Sequence, residues 1–374
     1  MRLWLRRIGT AFLFLTIGLC LAPSIVTPFL DRTYYEGPPS GHFDGERFFN
    51  PGSAQAGSHG GPARFFNRWV KGDERSAWPE HVPVRPTRPP IRVEGSEMLV
   101  TWVGHATVLV QTAGLNILTD PVWSDTVSPL PPIGPERVRA PGIRFEDLPK
   151  IDLILVSHNH YDHMDLPTLK RLWARDRPAI VTSLGNDSIL KVRGIEARAL
   201  DWGGTARVAG AEVIVARNHH WGSRWGTDRN RALWSAFVVR TGAGNIFFAG
   251  DTGWGDGSWV EEAAQLGPYR LAIIPIGAYE PRDVMKGNHI NPDEAVALFG
   301  KLKPTAALGI HWGTFQLTFE GINDPPRRLA ELRKARGIED DRFRATEAGH
   351  SFRVSAAALS PVGRGQGEGV GARS

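Results

Sequence analysis

Short apolar runs alternate with amphipathic stretches from residue 96 onward, and this pattern predicts the secondary structure of most of the chain. Runs rich in β-branched and aromatic residues predict strands, at 98–103, 107–112, 116–118, 151–156, 179–183, 208–216, 233–240, 245–249, 271–276 and 305–310. Apolar residues at helical spacing predict helices, at 167–175, 187–192, 258–266 and 292–302. The order indicates an α/β (α+β layered) domain, in which two mixed β-sheets pack face to face with helices on the outside.

Residues 1–30 have the pattern of a membrane anchor or a signal segment. Arg2, Arg6 and Arg7 precede residues 8–30, which contain no charged side chain and are long enough to cross a bilayer. Arginines before the apolar run and none directly after it predict a cytoplasmic N-terminus, with the rest of the chain outside the cytoplasm, on the periplasmic side in a bacterium. The alternative is a cleaved signal peptide whose apolar region ends near Ala22, which makes the mature protein secreted or periplasmic.

Composition separates two further segments from the layered domain. Residues 31–95 are rich in glycine, proline and aromatic side chains and predict an extension and linker, whose aromatic pairs either contact lipid or pack onto the next domain. Residues 356–374 contain mostly glycine, arginine and small residues, which is typical of a disordered tail. These boundaries leave residues 96–355 as one domain.

Charge and cysteine content exclude several kinds of site. The net charge of +5 is spread along the chain without a dense basic tract after the N-terminus, so we expect no nucleic-acid partner. The single cysteine, Cys20, lies in the N-terminal apolar run. No disulfide can therefore form within the chain, and the layered domain has no cysteine to offer a metal ion.

The candidate chemistry is concentrated in the loop that follows the predicted strand 151–156. Its sequence, Ser-His-Asn-His-Tyr-Asp-His, places three histidines and an aspartate within six positions. His158 and His160, two positions apart, can point the same way and hold one metal ion, and Asp162 and His163 can hold a second. Imidazole and carboxylate suit zinc, and one loop supplies only part of two coordination shells.

Three later predicted strands also end in side chains of the ligand type. His219-His220 follows residues 213–216, Asp251 follows 247–249, and His311 follows 307–310. Asp251 is suited to bridge two ions because a carboxylate has two oxygens. Spacing does not decide between His219 and His220.

These motifs together resemble the metallo-β-lactamase fold hydrolases, and within them the family of phospholipases D that hydrolyse N-acylphosphatidylethanolamine. The resemblance covers roughly residues 95–355 and makes 96–355 the catalytic domain, an αββα sandwich. Besides the ligand motifs, it includes Thr-Trp-Val-Gly-His-Ala-Thr at 101–107, Leu-Thr-Asp-Pro at 118–121 and Gly-Asp-Thr-Gly at 250–253. Its most specific segments are Ile-Gly-Ala-Tyr-Glu-Pro-Arg at 276–282 and His-Trp-Gly-Thr-Phe at 311–315.

The resemblance implies a role for each candidate residue. It implies two zinc ions, with manganese or iron as alternatives, whose ligands are His158, His160 and His220 for the first, Asp162, His163 and His311 for the second, and Asp251 for both. His220 is favoured over His219 because the family places this ligand before a tryptophan, here Trp221.

The resemblance also implies residues around the ligands. Asp120 is expected behind the metal ions, where it orients a ligand or a bound water. Asp162, Asp251 and His289 are the expected catalytic residues, and His289 and Tyr279 are expected to bind substrate. The alternative for His289 is a residue that leads into a helix, since Asn291-Pro292 follows it and proline suits a first helical turn.

The resulting functional hypothesis is a phosphodiesterase of the phospholipase D type, in which metal-bound hydroxide attacks the phosphorus of a phospholipid and releases phosphatidic acid and an N-acylethanolamine. Its partners are a phospholipid substrate and, through the N-terminal segment, a membrane. The alternatives are a lactonase or another phosphodiesterase of the same fold, and a membrane-tethered zinc-binding envelope protein without catalytic activity.

Overall fold

The structure is a computed structural model that describes residues 31–52 and 75–355, together with scattered positions among residues 4–17 and 68–72. The predicted anchor or signal segment and the predicted tail lie largely or wholly outside the described residues. Among the described helices, none has both the length and the hydropathy needed to cross a bilayer.

The first half of the layered domain contributes one seven-stranded mixed sheet, in the order β14-β1-β2-β3-β4-β5-β6. Its strands are β1 Met98–Gly104, β2 Thr107–Thr112, β3 Leu115–Thr119, β4 Leu153–Val156, β5 Ala179–Ser183 and β6 Arg198–Leu200, with β14 Ser351–Arg353 added from the end of the domain. Strands β1, β2 and β3 are antiparallel neighbours, whereas β3, β4, β5 and β6 run parallel.

The second half forms another seven-stranded mixed sheet, in the order β13-β12-β11-β10-β9-β8-β7. Its strands are β7 Thr205–Val208, β8 Ala211–Ala216, β9 Ala236–Thr241, β10 Gly244–Phe248, β11 Leu271–Pro275, β12 Ala306–Ile310 and β13 Phe343–Arg344. Strands β7 to β10 are antiparallel, and β10 to β13 are parallel. Each half of the chain thus begins with antiparallel hairpins and continues with parallel strands, although no sequence repeat marks the two halves.

Six α-helices accompany the two sheets in the described part of the chain. They are α1 Leu166–Asp176, α2 Asn186–Lys191, α3 Ser258–Gln265, α4 Arg282–Met285, α5 Pro292–Leu302 and α6 Asp324–Arg336, and a 3-10 turn spans Phe145–Asp147. Helix α5 begins with a capping box, because the Asn291 side chain accepts from the Glu294 backbone N–H and the Glu294 side chain accepts from the Asn291 backbone N–H.

Two buried clusters show that the layers pack in the order helices, sheet, sheet, helices. The larger cluster joins the facing sides of both sheets with α3, α5 and α6, and the smaller one joins the outer face of the first sheet with α1 and α2. The predicted α/β fold of two face-to-face sheets with outer helices is therefore confirmed.

Several predicted element boundaries differ from the structure for identifiable reasons. The strand expected at 208–216 begins only at Ala211 as β8, because Ala209 and Gly210 have φ values of 50° and 82° and form the turn that joins it to β7. The strand expected at 233–240 begins only at Ala236. Helix α6 was not predicted because it is strongly polar and buries only Pro325, Leu329 and Leu332.

The described part of the N-terminal extension packs onto the layered domain. Phe43 and Phe48 are buried in a cluster with Leu233 and Trp234, whereas Phe49 is exposed. This packing is one of the two alternatives that the sequence left open for the extension.

Candidate metal centre

All strands that end in a candidate ligand point in the same direction within their sheets. In the first sheet β1, β3 and β4 share a direction, since β2 is antiparallel to both of its neighbours. In the second sheet β8, β10 and β12 share a direction for the same reason. Their carboxyl ends therefore collect at one edge of each sheet, where loops place functional side chains.

Three non-glycine residues at these strand ends have left-handed backbone conformations. The φ values are 53° for His105, 30° for Asp120 and 64° for His311. Such conformations are uncommon for residues with a side chain and are typical of functional sites. Each one turns the chain sharply at the end of its strand and leaves a polar side chain in the buried space between the loops.

The first ligand group consists of His158, His160 and His220, whose ring nitrogens lie close together. His158 Nε2 lies 2.8 Å from His160 Nδ1. The Nδ1–H of His220 donates to the Asn288 backbone carbonyl (2.9 Å), and His220 Nε2 is buried without a hydrogen-bond partner. This hydrogen bond fixes the tautomer and leaves the Nε2 lone pair of His220 free for a metal ion.

The second ligand group consists of Asp162, His163, Asp251 and His311. Five distances join His163 Nε2, His311 Nε2, Asp162 Oδ2 and Asp251 Oδ2, and they fall between 3.0 and 3.4 Å. A regular tetrahedron with edges of about 3.2 Å has its corners about 2.0 Å from its centre, which matches zinc–nitrogen and zinc–oxygen bonds of about 2.0–2.2 Å. These five of the six interatomic distances match the edges of a tetrahedral metal site.

Asp251 lies between the two groups. Its Oδ2 is 3.0 Å from both His163 Nε2 and His311 Nε2 and 3.9 Å from His220 Nε2. Its Oδ1 is buried without a hydrogen-bond partner. A carboxylate in this position can bind two ions at once, as the sequence suggested for it.

Asp120 lies behind the second group, and it also lies close to His158 of the first group. Its Oδ2 accepts from His163 Nδ1 (2.6 Å) and from the Ser157 hydroxyl (2.6 Å), and its Oδ1 accepts from the Ser157 backbone N–H (2.7 Å). The hydrogen bond to Nδ1 directs the Nε2 lone pair of His163 toward Asp162 and Asp251. This is the arrangement by which carboxylates orient metal-binding histidines.

The two groups differ in charge. Burial lowers the pKa of His160 to about 3 and holds the pKa values of His158 and His220 well below the ordinary value. These three imidazoles are therefore neutral at pH 7, which is the form that binds metal ions.

In the second group, the nearby carboxylates raise the histidine pKa values more than burial lowers them. Burial by itself lowers the pKa of His311, but Asp251 and Asp162 raise it to about 9. His163 is likewise buried, yet its pKa is raised well above the ordinary value by Asp251, Asp162 and Asp120. The pocket thus favours positive charge at this position, which either protons or a metal ion can provide.

Unpartnered polar atoms provide an independent test of whether the residues fit metal ions. Nitrogens or oxygens without a hydrogen-bond partner are costly in a protein interior, and two such atoms, His220 Nε2 and Asp251 Oδ1, belong to the proposed ligands. The donor set is imidazole and carboxylate, the usual set for zinc. The residues fit two metal ions.

His105 belongs to this cluster although the sequence analysis gave it no role. His105 Nε2 lies 2.9 Å from Asp162 Oδ2, and the residue groups with Asp162, His163 and His311 as a possible metal ligand. The signal for it was present in the sequence, because it ends β1 as His311 ends β12.

The remaining candidates occupy different positions. His219 turns away from the ligands and packs against Gly255, where an added Cβ would lie 2.3 Å from its Nδ1. His289 reaches the site, with its Nδ1 3.9 Å from Asp251 Oδ2, while Asn291 caps α5. Tyr279 lines a separate cavity of about 510 Å³, and none of the described residues that line it is a candidate ligand.

The centre approaches solvent near His160. This residue, Tyr161 and Trp221 are half-buried, and the rings of His160 and Trp221 meet edge to face at 4.2 Å. The Arg229 guanidinium carbon lies 3.9 Å from the centre of the Trp221 ring. Aromatic and cationic groups therefore frame this side of the metal centre.

Comparison with known proteins agrees with this geometry. A family model described as beta-lactamase superfamily domain matches residues 115–312. The N-acyl-phosphatidylethanolamine-hydrolyzing phospholipase D 1 of Caenorhabditis elegans is 39% identical over 274 residues, which make up 70% of this chain and 77% of that protein. The mitochondrial N-acyl-phosphatidylethanolamine-hydrolyzing phospholipase D of Saccharomyces cerevisiae is 35% identical over 257 residues, or 66% of this chain and 54% of that protein.

A solved structure shares the fold. Igni18, a metallo hydrolase from the archaeon Ignicoccus hospitalis, superposes with a TM-score of 0.52 at 19% identity, over 69% of this chain and 99% of Igni18. At this level of identity the likeness concerns the fold alone.

Proposed function

Because the chain belongs to the beta-lactamase superfamily and is a metal-dependent hydrolase related to N-acylphosphatidylethanolamine-hydrolysing phospholipase D, we propose that it is a binuclear zinc phosphodiesterase acting on N-acylphosphatidylethanolamine. Water cleaves the bond between the phosphorus and the oxygen of the N-acylethanolamine. The products are phosphatidic acid and the free N-acylethanolamine. The observation that carries the substrate class is the 39% identity with the nematode enzyme.

Two metal ions are proposed at the two ligand groups. His158, His160 and His220 would hold the first, Asp162, His163 and His311 the second, and Asp251 both. When bound, a zinc pair supplies a water whose pKa is lowered toward about 7 and positive charge for the phosphate oxygens. Manganese or iron uses the same donor types, so the proposal of zinc depends on metal analysis of the purified protein.

The chain's own residues would position the substrate and hold protons. Burial lowers the pKa of His289 to about 4, so its imidazole is neutral at pH 7 and can donate an N–H hydrogen bond to a phosphate oxygen. Asp120 keeps His163 in one tautomer. Trp221, which packs against His160, and Arg229, which packs against Trp221, would contact the apolar part of a lipid and its anionic headgroup.

A substrate panel tests this proposal. The detergent-solubilised full chain is incubated with N-acylphosphatidylethanolamine, phosphatidylcholine, bis(p-nitrophenyl) phosphate, an acyl lactone and a β-lactam, before and after removal of metal. Metal-dependent release of N-acylethanolamine as the preferred reaction is the expected result. Preferred lactone opening would replace the proposal with a lactonase, and hydrolysis of only the small diester would make it a different phosphodiesterase.

The membrane part of the proposal concerns residues 1–30. An uncleaved anchor would keep the catalytic domain near a bilayer and outside the cytoplasm, in agreement with a lipid substrate. An immunoblot against an N-terminal tag tests it. Retention of the tag in the membrane fraction is expected for an anchor, whereas loss of the tag from the mature protein would indicate a cleaved signal segment.

A further inference from the structure

A buried arginine holds the loop that carries four of the candidate ligands. The Nη1 of Arg224 donates to the backbone carbonyls of Asn159 (3.1 Å) and Met164 (2.8 Å). These two residues flank the segment that contains His160, Asp162 and His163. The same guanidinium lies 3.6 Å from the centre of the Tyr161 ring. One side chain thus contacts the start, the middle and the end of the ligand loop.

The backbone of Arg224 is fixed in turn by Asp228. The buried Asp228 carboxylate accepts from the Arg224 backbone N–H (3.0 Å), the Trp225 backbone N–H (2.8 Å) and the Ser223 hydroxyl (2.6 Å). The turn at residues 223–228 is therefore closed around one carboxylate. Hydrogen bonds to a buried charged group are among the stronger ones in proteins.

The N-terminal extension completes this turn. The hydroxyl of Tyr34 donates to Asp228 Oδ2 (2.8 Å), across 194 positions of sequence. Tyr34 is itself held in place, because the Ser188 hydroxyl donates to its backbone carbonyl (2.7 Å). A chain of direct contacts therefore runs from Tyr34 through Asp228 and Arg224 to the ligand loop.

The same extension also contacts the remaining ligand of the first group. The side-chain amide of Asn50 donates to the backbone carbonyl of His220 (2.8 Å), and the Trp234 indole N–H donates to Asn50 Oδ1 (3.1 Å). The Phe48 backbone N–H donates to the Asn230 carbonyl (2.8 Å). Residues 31–52 thus contact both ends of the segment that runs from His220 to Asn230.

We propose that residues 31–52 help to set the geometry of the metal centre. Within this segment, Tyr34 and Asn50 are positioning residues, which hold the ligands in place without binding the metal. Tyr34 acts through Asp228 and Arg224 on the loop with His160, Asp162 and His163. Asn50 acts directly on the backbone of His220. The inference rests on the proposed metal centre and is independent of the proposed substrate.

The test compares zinc binding in the full-length protein and in single variants. Tyr34→Phe removes only the hydroxyl that donates to Asp228, and Tyr35→Phe is the matched control, since the neighbouring ring packs against Phe43 and Phe48. Zinc affinity is measured by competition with a chromophoric chelator, and the melting temperature of the metal-free protein is measured in parallel. The visible spectrum of the cobalt-loaded protein reports ligand geometry.

We expect Tyr34→Phe and Asn50→Ala each to weaken zinc binding about 10- to 100-fold, the range found for outer partners of metal ligands. The cobalt spectrum should shift, and the metal-free melting temperature should stay near that of Tyr35→Phe. Wild-type zinc affinity and an unchanged cobalt spectrum in both variants would overturn the inference, as would an equal loss in Tyr35→Phe. If the wild-type protein bound zinc but released no N-acylethanolamine, the proposed substrate would be wrong while this test would keep its meaning.

Discussion

Replacing Asp120 by asparagine tests how strongly the buried carboxylate controls the second ligand group. Asparagine keeps the shape of the side chain but has one acceptor oxygen and one donor nitrogen. Asp120 accepts three hydrogen bonds through its two oxygens, from His163 Nδ1 and from the hydroxyl and backbone N–H of Ser157. The new amide nitrogen must face one of these donors, so at least one hydrogen bond is lost.

The magnitude follows from the kind of bond that is lost. A hydrogen bond to a charged group contributes about 1.5–3 kcal/mol, and about 1.4 kcal/mol corresponds to a factor of ten in affinity. The variant should therefore bind the second zinc ion about 10- to 100-fold more weakly. If the amide nitrogen faces His163, the imidazole changes tautomer and places a proton on Nε2, the atom that faces Asp162 and Asp251.

The assay is a chelator competition that resolves two zinc equivalents. We expect Asp120→Asn to weaken the zinc equivalent held by the second group most. The other equivalent should weaken less, because among the described residues its only link to Asp120 through hydrogen bonds is the Ser157 hydroxyl, which also contacts His158 Nδ1 (2.9 Å). Asp152→Asn is the matched control, because it makes the same chemical change just before the start of β4, at the opposite end of that strand from the ligand loop, where Asp152 accepts from Arg92. Two equivalents bound with wild-type affinity in Asp120→Asn would refute the assigned role of this carboxylate.

Three further predictions concern the same centre. Asp251→Asn should reduce phosphodiesterase turnover by orders of magnitude in a steady-state assay while circular dichroism shows a folded chain, and near-wild-type rates would argue against a bridging role. Zinc affinity should rise with pH up to about 9, because the pKa of His311 is raised to about 9 and the metal ion must displace its proton below that pH. Calorimetry in buffers of different ionisation enthalpy should detect this proton release, and the absence of proton release would contradict the reasoning. His289→Asn should lower kcat/KM without loss of zinc, and loss of zinc from this variant would instead identify His289 as a ligand.

The sequence predicted best those elements that have a clear pattern of residues within their own segment. Strand β5 and helix α5 have the predicted bounds, because a short run rich in β-branched residues and a proline after an N-cap asparagine are local sequence signals. Helix α6 and the β7–β8 hairpin were missed, since a polar helix and an Ala-Gly turn carry weak local signals.

The residues of the candidate site likewise fall into those that could be identified from the sequence and those that could not. The loop 158–163 could be identified as a ligand cluster from sequence, because residues two to five positions apart on a loop are necessarily near one another. The proximity of His105 to Asp162, and the positions of Arg224 and Tyr34, could not be identified this way, since they depend on how separate strands and the extension pack.

The sequence by itself therefore determined the layered fold, the loop that supplies ligands and the kinds of side chain available at later strand ends. The resemblance favoured His220 over His219, and the structure groups His220 with His158 and His160. Only the tertiary structure decided that His105 approaches Asp162 and that Tyr279 lines a different cavity. The physical reason is that metal binding depends on distances of a few ångströms between atoms. Sequence order fixes such distances within one loop, but between loops they are fixed by the shared direction of the strands and by the packing of the two sheets.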